Sequence, residues 1–270
     1  HGRLPRVLTI HDLSFLHFPQ FFSRKQRLWH WLQGVRRQVA KAAHLITDSQ
    51  FTKNDLMETL QVAPEKISVI YPGINPRLRH QPGARPVALP FPYILYLGAL
   101  EPRKNITLLI RAFALLKQTV GRRDLKLVLA GRPGWLYQEI FNEIRQSPAA
   151  ADIINWGPVT AEEKILLYNG AEVFVYPSFF EGFGFPPLEA QACGCPVIVA
   201  DRASLPEIVG DSALRVSPWR ISQLAETIQG VLNDDSLRRR LRIKGFQNIT
   251  RFQWPICAAQ LANIFLSLAR

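Results

Sequence analysis

The chain has no long uninterrupted apolar run and few cysteines. Although 47% of its 270 residues are hydrophobic, no stretch is long enough to cross a bilayer as a helix, so we expect a soluble or peripheral protein. The three cysteines, Cys193, Cys195 and Cys257, lack the paired spacing of metal ligands. Cys193 and Cys195 lie where a predicted helix gives way to a strand and are expected to be buried thiols. A reduced, cytosolic compartment fits this expectation.

Acidic residues are outnumbered by basic ones. Lys and Arg total 33 against 21 Asp and Glu, which gives a formal net charge of +12. No nucleic-acid-binding motif accompanies this charge, so nucleic acid is not the expected partner. An anionic membrane leaflet or an anionic donor substrate accounts for the charge as well. Most of these residues are expected on solvated helix faces.

Short apolar runs alternate with helical patterns along the chain. This alternation predicts an α/β protein, with parallel strands and helices on both faces of each sheet. Ser49 and Asn105 are predicted to stand at the starts of two helices. The predicted strands are Val7–Ile10, Leu45–Thr47, Ile67–Tyr71, Tyr93–Leu97, Leu125–Ala130, Ile153–Trp156, Val173–Tyr176, Val197–Ala200 and Ala213–Val216.

A segment rich in proline and glycine, residues 81–90, is predicted to link two domains because it has no periodicity. The first domain is expected at residues 1–80 and the second at about residues 91–250. Residues 251–270 then read as an amphipathic helix, in which Pro255 suits the first turn.

Residues 176–190 carry the most functional information. They set Glu181 and Glu189 around a glycine-rich turn that follows a predicted strand and precedes a predicted helix. Gly184 lets a ligand approach the main chain closely, and a helix start after such a loop favours anions. A carboxylate inside the helix instead accepts hydrogen bonds from sugar hydroxyls. The pattern predicts a nucleotide-sugar pocket.

The same residues resemble a known family. EGFGFPPLEAQACGCPV is similar to the signature of retaining, family 4-type glycosyltransferases with the GT-B fold, and GALEPRKNI, LVLAGRPG, TIHDLSFLHFP and ITDSQFTKNDL extend the likeness. The resemblance implies two Rossmann-like, doubly wound domains, the first incomplete, and a final helix that crosses back to the first domain. It also implies an N-terminally truncated fragment, because Val7–Ile10 is similar to a strand midway through the family's first domain. The alternative to the family signature is a doubly wound domain whose Gly and Glu only shape a turn. The alternative to a final helix that crosses back is an ordinary surface helix of the second domain.

Arg103 and Lys104 directly follow a predicted strand and its turn, at the carboxyl end of the sheet where open α/β folds bind ligands. By resemblance they hold the donor diphosphate, together with the amides of Gly184 and Phe185. Because the sequence has no Asp-x-Asp motif or histidine cluster, we expect cations and backbone dipoles, without a metal, to neutralise the leaving diphosphate. Some relatives carry a further arginine where this chain has Ala99.

The resemblance also assigns residues to the sugar. Glu189, expected in the first turn of the helix after the loop, binds the ribose hydroxyls. Glu181 recognises the transferred sugar and supports positive charge in the transition state, and His11 reaches across the cleft toward sugar and acceptor. Retention is expected by front-face departure, in which the leaving phosphate takes the acceptor proton. A purely structural His11 is the alternative.

The form Glu-Pro-Arg-Lys-Asn at residues 101–105 looks most like bacterial mannosyltransferases of surface-polysaccharide assembly. GDP-mannose is therefore the first expectation for the donor and a UDP-hexose the second, with no separate cofactor and with a glycan or lipid-linked acceptor. A nucleotide-sugar-binding module and a sugar-nucleotide epimerase on the same fold are the alternatives.

Residues 24–43 are predicted to form one basic helix. One interpretation is an interfacial helix against an anionic membrane, which would place the protein peripherally on the inner face. The other, which the pattern favours, is a cytoplasmic domain helix packed on its sheet. The apolar stripe of this helix comprises Leu28, Leu32, Val35, Val39 and Ala42, with Arg27, Arg37 and Lys41 opposite.

Overall fold

The computed structural model describes residues 4–84, 89–119 and 124–268, which fold into two parallel sheets covered by helices. The strands are Val7–Ile10 (β1), His44–Thr47 (β2), Ile67–Val69 (β3), Tyr93–Leu97 (β4), Lys126–Ala130 (β5), Ile153–Gly157 (β6), Val173–Tyr176 (β7), Val197–Ala200 (β8) and Leu214–Val216 (β9). The helices are Ser14–His17 (α1), Arg24–Gln33 (α2), Val35–Lys41 (α3), Gln50–Leu60 (α4), Ile106–Thr119 (α5), Gln138–Gln146 (α6), Ala161–Gly170 (α7), Phe185–Ala192 (α8), Leu205–Val209 (α9), Ile221–Asn233 (α10), Asp235–Ile249 (α11) and Trp254–Leu268 (α12).

The predicted α/β class with parallel sheets is confirmed. Every predicted strand forms, and the bounds differ by at most two residues. The largest difference is at β3, which ends at Val69 rather than at Tyr71. The strands were predictable because a strand of a doubly covered parallel sheet is apolar on both faces and appears as an uninterrupted apolar run.

The larger sheet has the order β6-β5-β4-β7-β8-β9 among the described residues. The chain starts at β4 in the middle, adds β5 and β6 on one side, and returns to add β7 on the other. Ligands of such sheets bind at the carboxyl ends of the strands where this reversal occurs. All residues of β4 and β7 are buried. We call this part, residues 89–119 and 124–250, the second unit.

The smaller sheet has the order β1-β2-β3, as described, and we call residues 4–84 the first unit. Its strands are short, and β1 contains one exposed and two half-buried residues. A compact cluster on this sheet joins α3 and α4 to the strands. Its buried members are Ile10, Leu13, Val39, Ala42, Leu45, Leu56 and Ile67.

The two predicted helix starts differ in their chemistry. Ser49 is the N-cap of α4, and its side chain accepts a hydrogen bond from the Thr52 amide, as predicted. Asn105 directly precedes α5 with φ 55°. Its side-chain amide donates to the carbonyls of Pro177 and Pro218, at 3.2 and 2.8 Å. Asn105 thus ties the helix start to two loops.

The prediction of one continuous basic helix over residues 24–43 is wrong. Gly34 adopts φ 55° and ends α2, and α3 begins at the next residue. The break divides the predicted apolar stripe. Val39 is buried on the sheet, whereas Leu28 and Leu32 are 56% and 66% exposed. Packing on the sheet therefore describes α3, and α2 carries its apolar side chains in the open.

The residues just before the last helix contact a segment that precedes the predicted linker. The Ile74 amide donates to the Phe252 carbonyl at 3.2 Å, and α12 begins two residues later. Residues 85–88 of the linker lie outside the described residues. In the described ranges, no helix combines the length and the apolar character that spanning a bilayer requires.

Candidate active site between the two sheets

The glycine loop predicted from the sequence lies between β7 and α8, where the two units meet. Gly184 is the N-cap of α8 and adopts φ 114°, a conformation that favours glycine. Gly182 lies against the end of β1, because a Cβ on it would be 1.8 Å from the His11 carbonyl oxygen. Pro186 and Pro187 have no backbone N–H group. The start of α8 therefore offers a ligand only a few backbone N–H donors, those of Gly184 and Phe185 among them.

Glu181 is buried and paired with cations. Its carboxylate accepts from Lys104 Nζ at 2.6 Å and from Arg103 Nη1 at 3.3 Å. Burial by itself raises the pKa of Glu181, but the charges of Lys104 and Arg103 outweigh it, and the pKa falls to about 2. Lys104 also donates to the Tyr176 hydroxyl at 2.9 Å. Glu181 is therefore an anion held by two cations at the carboxyl end of the sheet.

Arg103 is shared among several acceptors. Its Nε and Nη2 donate to Glu101 at 3.2 and 3.0 Å, and its Nη1 donates to the Phe180 carbonyl at 2.8 Å. Asp12 of the first unit lies 3.8 Å from Nη1. Burial lowers the pKa of Arg103, but these carboxylates more than compensate and raise it. Together with Glu181, the carboxylates of Glu101 and Asp12 surround the two cations of this cluster, Arg103 and Lys104.

Glu189 lies on α8, apart from the Glu181 cluster, and has its own hydrogen-bond partners. It is the fifth residue of α8, in its second turn, whereas the prediction put it in the first turn. Its carboxylate accepts from Lys164 Nζ at 2.9 and 3.1 Å and from the Tyr168 hydroxyl at 3.0 Å. Burial, followed by the charge of Glu189, raises the pKa of Tyr168 well above its ordinary value. Tyr168 therefore remains a neutral donor to this carboxylate.

His11 stands at the carboxyl end of β1, on the first-unit side of the cleft. Its Nδ1 lies 2.5 Å from Asp48 Oδ2, and 77% of its side chain is exposed. The hydrogen bond to Asp48 raises the pKa of His11, against the opposing effect of burial. An exposed imidazole oriented by a carboxylate can donate to, or take a proton from, a ligand in the cleft.

The two units are joined by direct hydrogen bonds beside this cluster. Glu207 of the second unit accepts from the backbone amides of Gln50 and Phe51, at 2.7 and 2.8 Å. It thereby caps α4 of the first unit, whose own N-cap Ser49 donates to the Gly182 carbonyl at 2.5 Å. A carboxylate at a helix N-terminus is stabilised by the helix dipole. These bonds hold β1 against the glycine loop.

The cysteines are free thiols. Cys193 and Cys195 are buried as predicted, and burial raises the pKa of Cys193 to about 12. Cys257, for which no burial was predicted, is half-buried. Within the described ranges, no group of three or more His, Cys, Asp or Glu side chains is placed to hold a metal ion.

The structure brings Arg103, Lys104 and Glu181 into one cluster and leaves Glu189 with its own partners. Sequence reasoning did not identify Glu101 and Asp12, or Lys164 and Tyr168, as their partners. Glu101 had a local signal, since it stands two residues before Arg103 in the same loop. The others are more than 20 residues from the groups they contact in the chain.

This fold and site define a class of protein. Residues 83–248 match the family of glycosyl transferases group 1, and residues 1–78 match glycosyltransferase family 4. The chain belongs to this family of GT-B glycosyltransferases, so the fold and enzyme class predicted from its motifs are confirmed.

Two mannosyltransferases of Escherichia coli are similar to the chain. It is 31% identical to O-antigen chain mannosyltransferase B, over 97% of this chain and 71% of the relative. It is 28% identical to the serotype-specific mannosyltransferase WbdA, over 92% of this chain and 32% of that protein. The chain therefore spans about a third of WbdA and just over two thirds of the first relative.

The solved structure of Anabaena HepE in complex with UDP and glucose shares the fold. Its TM-score is 0.80 at 21% identity, and the match covers 97% of this chain and 72% of HepE. At this identity the likeness establishes the architecture of the two units and their sheets.

Proposed function

We propose that the protein is a retaining, metal-independent glycosyltransferase that moves a hexose from a nucleotide-diphosphate sugar to a glycan or lipid-linked acceptor. The observation that carries the proposal is the buried cluster of Arg103, Lys104 and Glu181 at the carboxyl end of the larger sheet. Cations next to the start of α8 suit a diphosphate, and a carboxylate beside them suits a sugar.

Charge balance in the cluster suggests how the donor enters. Asp12, Glu101 and Glu181 are three carboxylates against the two cations Arg103 and Lys104. An arriving diphosphate must therefore exchange with a carboxylate for these cations. We propose that Glu181 is the group that yields, turning to the hydroxyls of the hexose and to the positive charge that develops as the glycosidic bond breaks.

The remaining site residues are assigned to other parts of the substrates. Glu189 receives the ribose hydroxyls, and the amides of Gly184 and Phe185 add to the diphosphate site. His11 faces the hexose and the acceptor from the first unit. The leaving phosphate oxygen takes the acceptor proton on the same face of the sugar, which retains the anomeric configuration.

Mannose is the hexose we propose, and GDP-mannose the donor, because two similar proteins are mannosyltransferases by name. A UDP-hexose is the second candidate, since HepE is described in complex with UDP and glucose. Binding without transfer would point to a nucleotide-sugar-binding module. Conversion of the donor to its epimer would point to an epimerase.

A cytoplasmic location with peripheral contact to an anionic membrane completes the proposal. Helix α2 exposes Trp29, Trp31 and Leu32 on an element that also carries Arg24 and Lys25, which suits an anionic interface. Trp31→Ala should weaken sedimentation with anionic phospholipid vesicles. Trp254→Ala, at another exposed tryptophan, should leave it unchanged, and equal binding to neutral vesicles would contradict the proposal.

Transfer itself is tested with radiolabelled GDP-mannose and UDP-glucose, a mannose-terminated oligosaccharide acceptor and a chelator. We expect mannose transfer with the anomeric configuration of the donor, read by NMR of the product. Transfer that requires an added divalent ion, or that inverts the anomeric centre, would contradict the assigned chemistry.

A further inference from the structure

A cleft on the other side of the Glu181 loop is not used by the donor assignments above. It encloses about 560 Å³ between α4 of the first unit and two loops of the second, within the usual range for small-molecule sites. We call it the Phe180 cleft. Its walls include Phe18, Phe51, Asn54, Glu58, Phe180 and Arg202.

Aromatic rings form the apolar part of the cleft. Phe180 is 4% exposed, and its ring centre lies 5.3 Å from Phe51, 5.4 Å from His17 and 5.7 Å from Phe18. Arg202 lies over the Phe18 ring at 5.5 Å. Rings of this kind provide flat apolar surface with electron-rich faces, which matches the C–H face of a pyranose.

The polar part of the cleft is rich in acceptors. Asp55 is 7% exposed, and its Oδ1 accepts from His17 at 2.6 Å and from Thr59 at 2.8 Å. Its Oδ2 has no hydrogen-bond partner in the described structure. A buried carboxylate oxygen without a donor is costly, and Asp55 lines the cleft. Asp55 therefore sets a buried negative charge behind the wall, and the exposed Glu58 supplies the carboxylate that a ligand in the cleft can reach.

The charges of the cleft select against anions. Among the described wall residues, Asp55 and Glu58 are carboxylates and Arg202 carries the guanidinium. A phosphate would meet two negative side chains there, whereas hydroxyl groups both donate to carboxylates and accept from Arg202 and Asn54. The chemistry fits a neutral, hydroxyl-rich ligand with one apolar face.

The cleft adjoins the Glu181 loop, because residues of its wall are close neighbours of that loop in the chain. Phe180 directly precedes Glu181, and Arg202 is followed closely by Ser204, whose hydroxyl lies 2.9 Å from the Glu181 carbonyl and 2.7 Å from the Phe183 carbonyl. A saccharide in the cleft therefore lies next to the loop that would hold the hexose.

We propose that the Phe180 cleft binds the terminal pyranose of the acceptor glycan. The proposal rests on the proposed glycosyl transfer and names the residues that would recognise its second substrate. Glu58 and Asn54 take hydroxyls of this sugar, and Arg202 donates to its oxygens. The half-buried rings of Phe18 and Phe51, held in place by the buried Phe180, support its apolar face.

Glu58→Ala tests the assignment, with Glu65→Ala as the matched control, since Glu65 is an exposed glutamate of the same unit outside the cleft. We expect Glu58→Ala to raise the KM for an oligosaccharide acceptor about tenfold or more, because a hydrogen bond to a charged group is lost. The KM for the nucleotide sugar should stay unchanged. An unchanged acceptor KM in Glu58→Ala overturns the inference and leaves the proposed transfer intact.

A binding measurement separates the inference from catalysis. Mannotriose is added to the whole chain without nucleotide, and saturation-transfer NMR records its contact with the protein. We expect a signal in the wild type and in Glu65→Ala that is lost in Glu58→Ala and that inorganic phosphate does not displace. No wild-type signal, or displacement by phosphate, overturns the inference whether or not the chain transfers a hexose.

Discussion

The two units contribute to the cleft in different ways. The second unit surrounds β4 and β7 with buried side chains. It carries Arg103, Lys104 and Glu181 on the segments that follow these two strands, and Glu189 on α8. The first unit has a smaller core and an edge strand, β1, with an exposed residue. It contacts the glycine loop and Glu207 through the His11 carbonyl and the start of α4, and it brings the Asp12 carboxylate within 3.8 Å of Arg103 Nη1. The proposed donor site thus draws most of its residues from the second unit, whereas the first unit contributes His11 and Asp12 to its wall.

Removing Lys104 should have the largest effect, a loss of stability in the second unit. Lys104→Met leaves the buried Glu181 with Arg103 alone, and breaking a buried ion pair costs about 3 kcal/mol or more. We expect a lower midpoint of urea unfolding for the second unit. Lys244→Met removes a cation from a surface pair with Asp211 and should leave the midpoint unchanged. Similar midpoints for the two variants would show that the Glu181 cluster does not stabilise the second unit.

The two glutamates should separate nucleotide binding from transfer. Glu189→Ala is expected to weaken nucleotide binding by roughly 1.5–3 kcal/mol, the range for a charged hydrogen bond, whereas Glu181→Ala mainly slows transfer. Glu162→Ala, at an exposed neighbour on α7, is the control. Calorimetry with GDP and 2′-deoxy-GDP is the measurement. If Glu189→Ala still prefers the ribonucleotide as the wild type does, Glu189 does not bind the ribose.

Hydrogen exchange compares the units directly. β4 is paired on both sides, with β5 and β7, and fully buried. β1 is paired with β2 alone among the described strands, and half-exposed edges open more readily. We expect amides of Tyr93–Leu97 to exchange at least about tenfold more slowly than those of Val7–Ile10, roughly 1.4 kcal/mol in opening free energy. Equal protection would mean that the first unit is as stable as the second.

Acid should weaken the second unit through Glu181. Its folded pKa, about 2, lies below the ordinary value of about 4.3, so it stabilises the fold above that ordinary value. The contribution is lost as the pH falls toward 2. Glu181→Gln should therefore show a shallower loss of stability than the wild type between about pH 4 and pH 2, measured by urea unfolding at each pH. Parallel curves would mean that Glu181 titrates normally.

The strands and the order of motifs were predictable from the sequence because both depend on local patterns. The break at Gly34 was not predicted, because the apolar periodicity continues across it and favoured one helix. The pairing of Glu181 with Lys104 and of Glu189 with Lys164 depends on how loops from different strands meet, over 77 and 25 residues of chain. Composition and spacing do not determine such contacts. The Phe180 cleft was not predictable either, because it forms only where side chains of the two units meet.

The central claim is that the second unit holds a nucleoside diphosphate through Arg103 and Lys104, without a metal. Calorimetric titration of the chain with GDP, UDP and ADP, each in the presence of a chelator, tests it most directly. We predict binding that persists in the chelator, is strongest for GDP and is lost in Lys104→Met. Binding that the chelator abolishes and Mg²⁺ or Mn²⁺ restores, or that Lys104→Met leaves unchanged, would contradict the account.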